Sequence, residues 1–234
     1  MASSSSSSSS LALFLFLSFS AFLPPSESHK SVSVEVYYES LCPYSANFIF
    51  HYLPKLFASD LISIVDLKLV PWGNAKLHAN NTFTCQHGPT ECLLNTVQAC
   101  VINIVPDPSK HFPFIHCVED LVLQGRWPEW ESCFEKLDLD SKCIKECYNC
   151  EQGKELELQN AAKTNCLNPP HKMTPWVVVD GQALNDNYPS FVSYICKAYK
   201  GPVKTQGCTS ASHLGEFKAN AMLTWEKIRS IIAS

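Results

Sequence analysis

The first clear pattern along the chain is an alternation of β-branched or aromatic residues with other residues over 31–38, which predicts a half-buried strand. Apolar residues then recur at helical spacing from Phe48 to Leu56 and predict a helix. A second strand is predicted over 61–70, where a Pro-Trp pair ends it. Because such a β-α-β unit has a right-handed crossover, we expect two parallel strands in one sheet.

The pattern changes between about residues 74 and 170, where short helical segments alternate with prolines and cysteines. Apolar spacing predicts three helices there, over 91–104, 114–123 and, shorter, 133–150. A β-branched run returns at 174–183 and contains Asp-Gly, a turn dipeptide of hairpins. A helix is predicted over 188–199. The order β-α-β, helical insertion, β-β-α predicts an α/β domain with an insertion.

The two ends of the chain have patterns of their own. Residues 1–28 combine a serine run, a short apolar core and small residues after Pro24-Pro25, which predicts a secretory signal peptide, with a signal anchor as the alternative. Residues 29–208 are predicted to be one domain that includes the insertion. Residues 209–234 form a predicted tail, in which 216–232 has the spacing of an amphipathic helix that is either docked or removable.

Charge and cysteine usage narrow the classes of function. The net charge of −4 is spread along the chain, so we expect no nucleic acid and, after signal cleavage, no membrane as partner. The 12 cysteines predict a disulfide framework in an exported chain. If Cys42 stays free, an odd number remains, so either another thiol is free, or one cysteine bonds to Cys42 or to another chain, as in a disulfide-linked homodimer. Asn80, in Asn-Asn-Thr, is a predicted glycosylation site on an exposed loop.

Cys42 is the candidate nucleophile because it lies where the first strand gives way to the first helix. Pro43 follows it and suits the first turn of a helix. The unpaired amides and positive dipole end of that helix favour a thiolate. This is the strand–CxxC–helix arrangement of a thioredoxin-like fold, except that Ser45 stands at the fourth position. The alternative is that Cys42 is one more structural cysteine.

Residues 85–100 read CQHGPTECLLNTVQAC and resemble the CQHGxxECxxN signature of the gamma-interferon-inducible lysosomal thiol reductase family. The resemblance covers about residues 31–208. It implies a thioredoxin-like fold (β-α-β … β-β-α) with a Cys-rich helical insertion. It also implies export, either secreted or to a lysosome or vacuole, and reduction of protein disulfides. The matching residues are Cys85, Gln86, His87, Gly88, Glu91, Cys92, Asn95 and Cys100.

The family mechanism, carried to this chain, gives Cys42 the attack on a substrate disulfide and leaves the resolving step without its cysteine. Ser45 cannot form a disulfide, although its hydroxyl could donate a hydrogen bond to the Cys42 thiolate. The resemblance therefore implies a monothiol enzyme with no bound cofactor, completed by an external thiol such as glutathione or cysteine. Pro175 resembles the cis-proline opposite the active-site cysteine, which would expose the Thr174 backbone to an extended substrate; an ordinary trans proline is the alternative.

Other interpretations of the same residues remain open at this point. Two sets have metal-ligand spacing, an iron–sulfur-like triad and a zinc-like set, but an oxidising export route favours disulfides over metal. His87 either tunes the site or is a structural histidine. The rival function is a catalytically impaired family member that acts as an extracellular substrate-binding protein or structural glycoprotein. The two metal-like sets are Cys143, Cys147 and Cys150, and Cys85, His87 and Cys92.

Overall fold

The computed structural model describes residues 31–213, with side chains as far as Thr209, together with Met1. The predicted signal peptide and the predicted helix over 216–232 lie outside the described residues. The strands are β1 (Val32–Tyr38), β2 (Val65–Pro71), β3 (Lys76–Leu77), β4 (Phe83–Thr84), β5 (Trp176–Val179) and β6 (Gln182–Ala183). The α-helices are α1 (Pro43–His51), α2 (Lys55–Ala58), α3 (Pro89–Ile104), α4 (Pro108–Leu123), α5 (Ser132–Lys136), α6 (Ser141–Tyr148), α7 (Glu151–Asn165), α8 (Phe191–Ala198) and α9 (Gln206–His213). Three 3₁₀ helices cover Leu61–Ile64, Trp127–Glu129 and Asn185–Ser190.

Four strands form one sheet in the order β2-β1-β5-β6. The pair β1 and β2 is parallel, as predicted, and β5 runs antiparallel to both β1 and β6. Asp180 and Gly181 both have positive φ and form the tight turn between β5 and β6. The β-α-β unit, the helical insertion and the β-β-α unit occur in the predicted order, so the fold is thioredoxin-like.

Several predicted elements are wrong in extent. The predicted second strand begins late, because Asp60 adopts a left-handed conformation and residues 61–64 form a 3₁₀ helix before β2. The predicted helix over 133–150 is two helices, α5 and α6, separated by a turn in which Asp138 has positive φ. Helix α4 begins earlier than predicted, where the Asp107 carboxylate accepts a hydrogen bond from the Ser109 amide at 2.9 Å.

Helix α7 has no counterpart among the predicted elements. Its buried positions recur at helical spacing, yet they are occupied by small or polar residues, so the segment shows no apolar periodicity. The predicted helix over 188–199 is also divided, since a 3₁₀ helix covers 185–190 before α8 begins. The buried residues of α7 are Gly153, Glu157, Asn160, Ala161 and Thr164.

The molecule has two main apolar clusters. The sheet core packs β1 and β2 against α1, α4 and α8, with Phe48 and Phe191 among its largest buried side chains. The insertion core joins α3, α4, α5 and α6, and the disulfides Cys100–Cys147 and Cys117–Cys133 lie inside it. None of the helices in the described ranges is long and apolar enough to span a membrane.

Candidate active site

Cys42 is the N-cap residue of α1, with extended backbone angles and Pro43 in the first turn of the helix. Its thiol is free and its side chain is buried, with 5% of the residue surface exposed. The next residue but one, Tyr44, is 70% exposed and marks the open side of the site. Cys42 thus lies at the end of α1 that has the unpaired amides and the positive end of the helix dipole.

Thr174 lies against Cys42 although the two are 132 residues apart in sequence. Pairing of β1 with β5 brings the end of one strand beside the start of the other. The Thr174 hydroxyl is 3.4 Å from Cys42 Sγ, and its carbonyl oxygen is 3.9 Å from the same sulfur. The peptide bond between Thr174 and Pro175 is cis, as the resemblance implied, and a second cis bond joins Asn168 to Pro169.

Ser45 occupies the position of the resolving cysteine and is buried. Its Oγ accepts a hydrogen bond from the Glu39 amide at 3.4 Å. The hydrogen bond that Ser45 could donate to the Cys42 sulfur is not found among the described residues, where the side-chain partner of the sulfur is Thr174. The serine thus holds the loop that leads to Cys42 rather than the sulfur itself.

Glu39 is a buried carboxylate directly behind the cysteine. Its Oε1 accepts from the Asn74 amide at 2.7 Å, and its Oε2 accepts from the Thr174 hydroxyl at 3.1 Å. Burial raises the pKa of Glu39 above its ordinary value, and Glu91 adds to the rise, while the bonds from Asn74 and Thr174 oppose it. A Cβ at Gly73, which has φ of +57°, would lie 2.3 Å from the Glu39 side chain.

Several signature residues pack against the loop formed by residues 39–42. The Cys85–Cys92 disulfide closes the turn that leads into α3, and Gly88 has φ of +89° at the start of that helix. Within this turn, His87 Nδ1 lies 2.5 Å from Glu91 Oε2 and 3.9 Å from Glu39 Oε2. His87 is therefore paired with carboxylates rather than isolated.

Two further signature residues contact the same loop. Gln86 Oε1 accepts a hydrogen bond from the Asn74 side-chain amide at 2.9 Å, and the backbone amide of Asn74 donates to Glu39. Asn95 Oδ1 accepts from the Ser40 amide at 3.0 Å. The polar signature side chains thus fix the loop before Cys42, whereas the last signature cysteine, Cys100, is bonded to Cys147 inside the insertion.

Glu39, His87 and Glu91 form the one cluster of potential metal ligands found in the described part of the chain, with their ligand atoms within 4.8 Å of one another. Both oxygens of each carboxylate already accept hydrogen bonds from protein groups. We therefore treat the cluster as a hydrogen-bonded group. Neither set of residues with metal-like spacing is available as a set, since Cys85 is bonded to Cys92 and Cys147 to Cys100.

Three free cysteines other than Cys42 are found in the described residues. Of the alternatives for the odd cysteine, the structure therefore shows additional free thiols. Cys143, Cys150 and Cys166 are all exposed. The fourth described disulfide joins Cys196 to Cys208. The Cys-x-x-Cys at 147–150 is not a redox pair, because only its first member is bonded and that bond goes to α3.

Sequence reasoning did not single out Glu39 or the Thr174 side chain as site residues. Glu39 stands at the end of the first strand, three positions before Cys42. An acid at a strand end is normally interpreted as solvated, and its burial depends on Gly73 and on the turn at 85–92, both distant in sequence.

A free cysteine at the N-terminus of α1, opposite a cis-proline, defines this chain as a thioredoxin-fold thiol–disulfide oxidoreductase. Among solved structures it is similar to DsbA of Chlamydia trachomatis (TM-score 0.53, 17% identity, 73% of this chain and 88% of that one). It is also similar to reduced DsbG of Mycobacterium tuberculosis (TM-score 0.54, 21% identity, 82% and 88%). At these identities the likeness establishes the fold alone.

The family follows from sequence comparison. The family model "Gamma interferon inducible lysosomal thiol reductase (GILT)" matches residues 33–137. The chain is 44% identical over 173 residues to the gamma-interferon-responsive lysosomal thiol protein of Arabidopsis thaliana, covering 73% of this chain and 72% of that protein. It is 35% identical over 196 residues to the mouse gamma-interferon-inducible lysosomal thiol reductase, covering 80% and 75%. The chain belongs to the GILT family.

Proposed function

We propose that the protein reduces protein disulfides through Cys42 alone, with an external thiol such as glutathione or cysteine completing the cycle and no bound cofactor. The observation that carries the proposal is a free, helix-capping Cys42 with Ser45 at the resolving position. Pro175 and the backbone of Thr174 are the groups we assign to substrate positioning. The alternative, a catalytically impaired relative that acts as an extracellular substrate-binding protein or structural glycoprotein, is less well supported, because Cys42 is a free thiol at the N-terminus of α1 beside Thr174.

The proposed cycle balances without a second active-site cysteine. The Cys42 thiolate attacks one sulfur of a substrate disulfide, which forms a mixed disulfide and releases the other substrate sulfur as a thiolate that takes up a proton. A first external thiolate then attacks the Cys42 sulfur and releases the remaining substrate thiol. A second external thiol restores Cys42 and leaves as the oxidised external disulfide. One substrate disulfide is reduced for every two external thiols oxidised.

The same proposal includes the route of the protein. Residues 1–28 would direct it into the secretory pathway, from which it is secreted or delivered to a lysosome or vacuole. Asn80 would carry an N-linked glycan. In support, Asn80 is exposed in the turn between β3 and β4, where its side chain accepts hydrogen bonds from both the amide and the hydroxyl of Thr82.

The test isolates Cys42 from the exposed thiols. In the variant Cys143→Ser/Cys150→Ser/Cys166→Ser, alkylation of the native protein reports on Cys42 alone. Insulin reduction by this variant should require added glutathione, and Cys42→Ser should abolish it. Native Cys42 that resists alkylation at both acidic and neutral pH would overturn the proposal.

A second variant tests the missing resolving step. Ser45→Cys in the same background places a thiol of similar size at a buried position in the first turn of α1. We expect insulin reduction to become less dependent on glutathione. Ser45→Ala is the matched control and should stay fully dependent. No gain from the cysteine would contradict our account of the resolving step.

A further inference from the structure

A continuous chain of polar contacts joins the active-site sulfur to a buried carboxylate. Cys42 Sγ lies 3.4 Å from the Thr174 hydroxyl, which lies 3.1 Å from Glu39 Oε2. All three side chains are buried. A hydroxyl has one hydrogen to donate, so Thr174 donates either to the carboxylate or to the sulfur at any moment. The group to which the Thr174 hydroxyl donates therefore depends on whether Cys42 or Glu39 carries the proton.

We propose that Glu39 is the proton partner of Cys42 and that the Thr174 hydroxyl passes a proton between them. With the thiol protonated, Cys42 donates to Thr174 Oγ1 and Thr174 donates to the ionised Glu39. One proton then moves from Sγ to Oγ1 as another moves from Oγ1 to Oε2. The products are a thiolate, an intact threonine hydroxyl and a protonated glutamic acid, with no change in total charge.

The position of Glu39 suits this role. Burial raises its pKa, so the carboxyl can hold a proton above the pH range usual for a glutamate. Once Glu39 is protonated, Thr174 is free to donate to the thiolate. Once Glu39 is ionised, its negative charge disfavours a second negative charge on the sulfur. Glu39 does not touch the sulfur, and it is thus a positioning residue that acts through Thr174.

The signature turn supplies the charged groups that face this pair. His87 and Glu91 face Glu39 from the turn and from α3, while His171 bonds to the Asn74 side chain. On the other side, burial raises the pKa of Tyr188, and the charges of Tyr52, Cys42, Asp186 and Tyr44 add to the rise. The CQHGxxEC residues thereby fix the carboxylate whose proton is shared.

The inference rests on the proposed function of Cys42, and one experiment separates the two. The rate of Cys42 alkylation by iodoacetamide is measured against pH in the full chain carrying Cys143→Ser/Cys150→Ser/Cys166→Ser. We expect this rate to rise in two steps, because two coupled groups lose their protons in separate macroscopic stages. A sulfur that is not alkylated at any pH would overturn the proposed function and the proton relay together.

Two near-isosteric variants should shift this profile in opposite directions. Glu39→Gln keeps the size but removes the charge and the proton site, so the profile should become a single step at lower pH, with alkylation about tenfold faster at acidic pH. Thr174→Val removes the donor to the thiolate and should slow alkylation about tenfold at the same pH. A merely loosened site would move both variants in the same direction.

Two controls complete the test, with folding checked by thermal unfolding. Thr174→Ser keeps a hydroxyl and should restore the two-step profile. Glu157→Gln removes a buried carboxyl of α7 that lies outside the Cys42–Thr174–Glu39 chain, and it should leave the profile unchanged. If Cys42 is reactive but neither Glu39→Gln nor Thr174→Val shifts the profile, the relay is wrong and the proposed function stands. If Glu39→Gln does not fold, the contrast between Thr174→Val and Thr174→Ser decides.

Discussion

The sheet core and the insertion core differ in the interactions that stabilise them. The sheet core consists mainly of valine, leucine, isoleucine and phenylalanine side chains from β1, β2, α1 and α8. The insertion core is smaller, and four of its members are half-cystines that form the bonds Cys100–Cys147 and Cys117–Cys133. The disulfide beside the sheet core, Cys196–Cys208, instead attaches α9 to α8 at the periphery.

The difference indicates how each region resists unfolding. The strands obtain their order from long-range pairing and from burial of large apolar side chains. The insertion helices α5 and α6 bury only two residues each, and the buried face of α7 consists of small or polar residues. Covalent bonds that limit the unfolded chain compensate for that shortage. We expect the two cores to respond differently to truncation, reduction and pH.

The largest effect should come from truncation in the sheet core. Phe48 is fully buried and makes edge-to-face contacts with Tyr188 and Phe191, each with ring centroids 5.4 Å apart. Phe48→Ala should lower the free energy of unfolding by about 3–5 kcal/mol in urea titrations followed by circular dichroism. The control Tyr44→Ala, at an exposed ring on the same helix, should stay within about 0.5 kcal/mol. Equal losses would contradict the assigned core.

The next effect concerns the bond that joins α3 to α6. Its sequence separation is 47, so chain entropy predicts that Cys100→Ala/Cys147→Ala costs about 4 kcal/mol of unfolding free energy. The matched pair Cys196→Ala/Cys208→Ala closes a loop with a separation of 12 and should cost about 3 kcal/mol. Hydrogen exchange should show lost protection in the insertion helices for the first pair and in α9 for the second. The reverse order would refute the assigned roles.

The free energy of unfolding should depend on pH because of buried carboxyls in the helices of the insertion. The Tyr38 hydroxyl donates to Gln98 at 2.5 Å, and the Gln98 amide donates to Glu119 at 2.9 Å. Burial raises the pKa of Glu119, and also that of Glu157 on α7, well above the ordinary 4.5. The folded state therefore binds protons that the unfolded state releases. The stability that these two carboxyls contribute should be fully present below that ordinary value and should be lost as pH rises through their raised pKa values.

The measurement is urea unfolding between about pH 5 and pH 8, a range set by the upward shift from the ordinary carboxyl pKa. Glu119→Gln should flatten the decline by about 1–2 kcal/mol, because the neutral amide has no proton to lose. Exposed Glu155→Gln is the control and should leave the slope unchanged. A slope that stays the same in Glu119→Gln would show that this carboxyl is not the source.

The smallest effect on stability should come from the exposed thiols. Cys143→Ser/Cys150→Ser/Cys166→Ser should change the free energy of unfolding by less than about 0.5 kcal/mol. The same variant tests the alternative that one cysteine bonds to another chain: a disulfide-linked homodimer should disappear from non-reducing gels if one of these sulfurs forms the bond. A dimer that persists in the triple variant would exclude all three.

The sequence was sufficient for the parts of the fold that repeat apolar residues at a fixed period. The strands β1 and β5 and the helix α3 follow such patterns, and the dipeptide Asp180-Gly181 marks the hairpin of β5 and β6. Helix α7 was missed because Glu157, Asn160 and Thr164 form its buried face, which only tertiary packing reveals. Burial, unlike periodicity, depends on residues that are distant in sequence.

The same limit applies to the site. Cys42 and Ser45 were evident from the strand-to-helix context, and the signature was evident as a string. The role of the signature was not evident, because its contacts with Glu39, Ser40 and Asn74 join residues that are 12 to 55 positions apart and follow no periodic pattern in the sequence. The pairing of Thr174 with Cys42 depends on the order of strands in the sheet.

The buried Ser45 has a consequence for time rather than affinity. A second active-site cysteine would resolve each mixed disulfide within the same molecule, at a rate set by the protein. With a serine there, held by the Glu39 amide, every mixed disulfide at Cys42 would last until an outside thiol arrives. The lifetime of the mixed disulfide would then depend on the concentration of free thiols in the surrounding compartment. The same protein would release its substrate quickly where thiols are abundant and keep it bound where they are scarce.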